Sequence, residues 1–127
     1  MRYVRSELYG TPSAERMPMT AGEAYAFGEA LKVTDGKVTK ASGTDKPEFI
    51  CSMKATGTAG GMLDVTRILP NQTWEAVLTE NGASLAVGDK VNIAADGVDL
   101  TATTGGSAQI VQILGTAVGD KIRVMFK

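Results

Sequence analysis

The sequence predicts an all-β fold, a small β-barrel or sandwich built from hairpins behind an extended N-terminal arm. Three observations carry this. Residues 22–127 consist of short runs in which apolar and polar residues alternate, the two-residue period of a half-buried strand. Asp35-Gly36, Asn81-Gly82 and Asp96-Gly97 fall between such runs, and these dipeptides accept the positive φ of tight hairpins. Fifteen glycines in this pattern suit a barrel or sandwich and not a helical bundle. At 127 residues the chain has the size of one domain, and its 43% hydrophobic content is enough for a packed core. Aromatic residues make up only 6%, so that core is expected to rest on Val, Ile, Leu, Ala and Met.

Taken in order, residues 1–21 stand apart as the arm. Pro12 and Pro18 forbid a regular helix through this segment, and neither a strand nor a helix period is visible. Tyr3, Tyr9, Met17 and Met19 are nonetheless unusual in a purely solvating tail. The segment reads as an extended arm that docks on a surface, or as a free terminus. Its first nine residues carry Arg2, Arg5 and Glu7 without an apolar run, so they read as neither signal peptide nor membrane span. The body is then expected to form strands over 24–27, 30–34, 37–40, 48–54, 62–69, 73–78, 90–94, 98–102, 108–114 and 121–126. Thr20 followed by Glu23 has the spacing of a capping box, but Gly22 and Gly28 favour a strand or turn over a helix there. Residues 57–61 and 103–107 read as small, mobile polar loops.

The body also repeats. Gly28-Glu29-Ala30-Leu31-Lys32-Val33 is echoed by Gly88-Asp89-Lys90-Val91-Asn92-Ile93. Each copy reaches an Asp-Gly turn and then, through a polar loop, an apolar run at 49–53 or 110–114. A third such corner, Gly119-Asp120-Lys121, opens the last expected strand. Two similar halves, 22–61 and 82–127, follow from this pattern, as duplication or as recurring hairpin chemistry.

Composition removes most catalytic classes. The chain has no histidine, and hence neither the commonest general base nor the commonest metal ligand. Its single cysteine, Cys51, rules out an intrachain disulfide and a multi-cysteine zinc site, and its strand-like neighbours suggest a buried structural thiol. One unpaired cysteine also fits synthesis and assembly in a reducing cytosol. Net charge is −1, with no basic excess to neutralise nucleic-acid phosphates. Gly57-Thr58-Ala59-Gly60-Gly61 lacks the lysine and following helix of a phosphate loop, and Gly105-Gly106-Ser107 fails the same test. Met53-Lys54 before a turn is only loosely similar to the lysine hairpin of biotinyl and lipoyl carrier domains, since Ala55 stands where a second bulky neighbour belongs. The carboxylates lie mostly at turns, where backbone hydrogen bonding explains them. The expectation is therefore a non-enzymatic module without cofactor or bound metal. Trp74, the only tryptophan, is either a subunit-interface anchor or a core filler.

The stretch from Gly88-Asp89-Lys90-Val91-Asn92-Ile93 through 108–115 to Gly119-Asp120-Lys121-Ile122-Arg123-Val124-Met125-Phe126 resembles bacteriophage head-decoration, or capsid-cement, proteins. The likeness also takes in 26–33, and so covers most of 22–127. It implies a structural virion protein on the capsid exterior that binds the major capsid protein, commonly as a homotrimer, and cements the head. Within the arm, Tyr3, Val4, Leu8, Tyr9, Met17 and Met19 are the capsid-contact candidates. A strand-like arm added to a capsid sheet edge would gain affinity through main-chain hydrogen bonds, and removal of 1–20 is expected to leave the body folded. The alternatives are a tail-tube or baseplate protein, which would form hexameric rings or carry a long stacking hairpin, and a carbohydrate-binding module, which would expose several aromatics on one face.

Overall fold

The computed structural model describes residues 1–6 and 13–127. No helix occurs among them. The strands are β1 (Arg2–Ser6), β2 (Ala14–Pro18), β3 (Ala24–Tyr25), β4 (Ala30–Thr34), β5 (Lys37–Lys40), β6 (Phe49–Cys51) and β7 (Ala55–Thr56). After them come β8 (Met62–Arg67), β9 (Gln72–Val77), β10 (Lys90–Ile93), β11 (Leu100–Thr104), β12 (Ala108–Ile113) and β13 (Lys121–Phe126). They form a six-stranded sheet in the order β1-β9-β13-β12-β10-β11, a five-stranded sheet in the order β2-β8-β6-β4-β5, and the small pair β3-β7. Every ladder is antiparallel. The result is sandwich-like; neither large sheet closes into a barrel.

The two sheets repeat one plan. In each, the first strand (β2 or β9) lies beside the last (β8 or β13), followed by the fourth, second and third strands of that half. A single parallel bridge then brings the end of the first strand to the third, Met19 to Val38 in one half and Leu78 to Leu100 in the other. The hydroxyls of Thr20 and Thr79, one residue further on, donate to the carbonyls of Val38 and Leu100. Gly28 N–H donates to Cys51 O just as Gly88 N–H donates to Ile110 O. Shared strand order, bridges and hydrogen bonds go well beyond recurring turn chemistry. The repeating unit spans 14–67 and 72–126, starting earlier than the 22–61 and 82–127 expected, because each half begins with the strand before its Gly-acidic corner.

Alternation supplies the core. In β13, Ile122, Val124 and Phe126 are buried while Lys121 is exposed. With Trp74, Val91, Ile93, Leu100 and Ile110 they fill the inner face of the six-stranded sheet. A second cluster, with Tyr25, Leu31, Phe49 and Leu63 among its members, fills the inside of the other sheet. Strand β6 is buried on both faces, since Ile50 joins the first cluster while Phe49 and Cys51 join the second. Each fully buried aliphatic side chain contributes roughly 1.5–3 kcal/mol.

The arm differs most from expectation. Residues 2–6 are an edge strand antiparallel to β9, and residues 14–18 an edge strand antiparallel to β8. Pro18 is tolerated because it ends an edge strand, where a missing N–H costs no ladder bond. At Asp35-Gly36 both residues have positive φ, 51° and 75°, the requirement of a two-residue hairpin, and β4 pairs with β5 across it. The other two dipeptides do not make tight hairpins. Asp96 Oδ1 instead accepts the N–H groups of Val98 and Asp99, which delays β11 by two residues relative to the expected start. Asn81 Oδ1 accepts the Ala83 N–H in the long β9–β10 connection, whose Gly82 N–H donates to Thr116 O. Residues 103–104, expected in a loop, belong to β11, and residues 55–56, between the expected strand and loop, form β7.

Candidate interaction surface

Register places four polar side chains in one row across the outer face of the six-stranded sheet. Arg2 lies opposite Glu75, Glu75 opposite Arg123, and Arg123 opposite Gln112. The row is hydrogen-bonded throughout. Arg2 donates to Glu75 Oε1 at 2.8 Å, and Arg123 donates to Glu75 Oε2 at 3.1 Å and to Gln112 Oε1 at 3.1 Å. Lys121, two residues before Arg123 and so on the same face, brings its Nζ to 3.9 Å from Glu75 Oε1. Glu75 is only 6% exposed beneath these cations, whereas Arg2 and Lys121 are largely in solvent. The hydrogen bond from Arg2, reinforced by Arg123 and by the charge of Lys121, holds its carboxyl below the usual carboxylate range despite burial. Among the described residues, three cations around one carboxylate leave this cluster at net +2.

Two β-bulges shape the surface beside the row. The register slips between Tyr3 and Arg5 in β1 and between Ile110 and Gln112 in β12, so Val4 and Val111 are the extra residues. Both line a cleft of about 440 Å³ with Thr73, Gln112, Arg123 and Met125. Its floor is thus partly apolar and its rim cationic. The repeat builds a counterpart on the other sheet, a cleft of about 460 Å³ with Ala14, Arg16, Ser52 and Asp64 in its lining. There the cross-strand pair is Arg16 with Asp64, at 3.2 Å, with no charge left over.

The corners of the repeat form a second surface feature. In Ala26-Phe27-Gly28-Glu29, Ala86-Val87-Gly88-Asp89 and Ala117-Val118-Gly119-Asp120 the fourth N–H donates to the first carbonyl, and each glycine has positive φ. The residue before each glycine points outward, leaving Phe27, Val87 and Val118 between 64% and 70% exposed. Glu29 behaves differently from its counterparts. It is 2% exposed, its Oε1 lies 3.8 Å from Lys40 Nζ, and burial pushes its pKa up to about 7.

The sequence-derived candidates fall in different environments. Tyr3 faces inward, packing edge-to-face on Trp74 with ring centroids 5.6 Å apart. Trp74 is 2% exposed in the core, which removes it as a surface anchor on this chain; its burial follows from the inward half of the β9 alternation. Met19 is buried and Met17 half-buried against the second cluster, so neither is a free contact residue. Of the described arm candidates, Val4 lines the outer cleft beside the row, while Tyr3 lines a smaller pocket of about 140 Å³ with Met1, Phe27 and Trp74. Leu8 and Tyr9 lie outside the described residues. The Glu75 cluster was missed, although the alternation of Lys121 and Arg123 with Ile122 and Val124 marked two of its members as outward-facing.

Fold and surface together define a small, internally repeated all-β module with one cationic, partly apolar sheet face. No family model matches the chain, and no curated protein matches it. Among solved structures it is similar to the N base of head fiber gp8.5 in bacteriophage phi29, with a TM-score of 0.61 at 14% identity. The match covers 91% of this chain and 95% of that one, and at such identity it is a likeness of fold.

Proposed function

We propose that this chain is a structural protein of a bacteriophage head, seated on the outer capsid surface, where it contacts the major capsid protein as a homotrimer and stabilises the shell without catalysis. The observation that carries the reading is the near end-to-end fold likeness to the base of a phage head fiber. The resemblance of the Gly-acidic-Lys corners to decoration proteins points the same way from the sequence. The outer sheet face, with its cation cluster and apolar cleft, supplies a surface suited to protein contact.

Co-sedimentation with emptied, expanded capsids of the encoding phage tests attachment, and light scattering tests the oligomer. Saturable binding by a trimer is the expected result, together with a raised temperature of capsid disruption. Failure to bind removes the head reading. A hexameric ring favours a tail tube, and binding without a change in capsid stability removes the cementing role alone.

A further inference from the structure

The repeat offers a comparison that few single chains allow, because one fold presents two equivalent outer faces. On β2 and β8 the face is electrically neutral, its Arg16 paired with Asp64. On β9 and β13 the corresponding positions carry the pair in reverse, Glu75 with Arg123, and two further cations have been added. Lys121 stands where the other half has Met62 at the start of its last strand. Arg2 arrives on β1, a strand the five-stranded sheet lacks. The same added strand contributes Val4 to the cleft floor.

Charge balance does not require the surplus. Arg123 alone would match Glu75 as Asp64 matches Arg16, and Lys121 stands 3.9 Å away with 58% of its side chain exposed. We infer that the outer face of β1, β9, β13 and β12 is the docking face of this molecule, and that it receives an acidic, partly apolar protein surface. The inference rests on the head-protein reading above and names the partner's chemistry. A net +2 cluster on a chain of net charge −1 selects a partner of negative potential. The bulge valines and Met125 select a protein over a nucleic acid, since a phosphate backbone offers nothing apolar to meet them and the chain has no basic excess.

Lys121→Glu, Val111→Asp and the control Lys37→Glu, at the far hairpin tip, test this by co-sedimentation with emptied, expanded capsids at two salt concentrations. Thermal melts check that each variant folds. Lys121→Glu is expected to weaken binding about tenfold and to flatten its salt dependence, as reversal of a rim charge does. Val111→Asp, which leaves the ion cluster intact, is expected to weaken binding comparably, and Lys37→Glu to leave it unchanged. Wild-type binding untouched by Lys121→Glu and Val111→Asp overturns the docking face while the head reading stands. Absence of wild-type binding removes both. Binding of a 30-base-pair DNA duplex that is lost in Lys121→Glu would make the face a nucleic-acid site and overturn the protein partner.

Discussion

Glu75 holds the outer face of the six-stranded sheet together, and Glu75→Gln is its sharpest test. The substitution keeps the volume and one acceptor but removes the charge that Arg2, Arg123 and Lys121 converge on. A hydrogen bond to a charged group contributes about 1.5–3 kcal/mol when shielded, and much less when one partner is in water. Arg2 is 67% exposed and Arg123 31% exposed, so the first bond counts near the lower limit of an exposed pair and the second more fully. The loss should total about 1–2 kcal/mol, or a fall of roughly 4–8 °C in Tm for a domain of this size. Urea denaturation at pH 7 reads it directly. Because the carboxyl titrates below its ordinary value, its contribution is present above the unfolded pKa and is lost as pH falls through the folded one. The stability curves of the wild type and of the Glu75→Gln variant should therefore converge in acid. A double-mutant cycle with Arg123→Met isolates the pair. Stability of Glu75→Gln within about 0.5 kcal/mol of wild type at pH 7, or strict additivity in the cycle, would refute the reasoning.

Glu29 should show the opposite pH dependence. Its folded pKa of about 7 lies above the ordinary value of 4.5, so its burial cost grows from pH 4.5 to 7 and then levels off. Lys40 offsets that cost while Glu23 and Asp96 add to it. Glu29→Gln should remove a destabilisation of up to about 3 kcal/mol at pH 8 and change little at pH 5; a urea midpoint that responds equally at both pH values counts against this. Deleting residues 1–20 should destabilise the body, in contrast to the expectation from sequence. It strips an edge strand from each sheet and removes Met19 from one core and the Tyr3 contact from Trp74. Circular dichroism melts and limited proteolysis would show it, and an unchanged Tm would rule it out.

What the sequence made legible follows from the range of the forces involved. Strands such as β4, β5 and β13 were readable to the residue because alternation and turn chemistry are local. β1 and β2 were not. An edge strand needs no continuous apolar face, and Pro18, which argues against a helix, is compatible with an edge. The repeated corners were visible as text, but only strand order, with β2 beside β8 and β9 beside β13, separates a repeated architecture from repeated turns. The Glu75 cluster was beyond reach for another reason. Its members are separated by 73 and 48 residues, and a one-residue slip in either ladder would send a partner to the opposite face.

The placement of β9 has a consequence for how the chain comes together. One neighbour, β1, lies at the beginning of the described fold, and the other, β13, at its end. The five-stranded sheet draws only on residues 14–67 and can assemble as soon as these have been synthesised. The six-stranded sheet has no such early form. During synthesis β1 must wait until residue 77 has emerged before its ladder can form, and β9 stays open on its other edge until β13 follows. Closing loops of that length makes this the slow step and the aggregation-prone interval of folding. Once closed, the same arrangement fastens both ends of the described fold to one internal strand, β9.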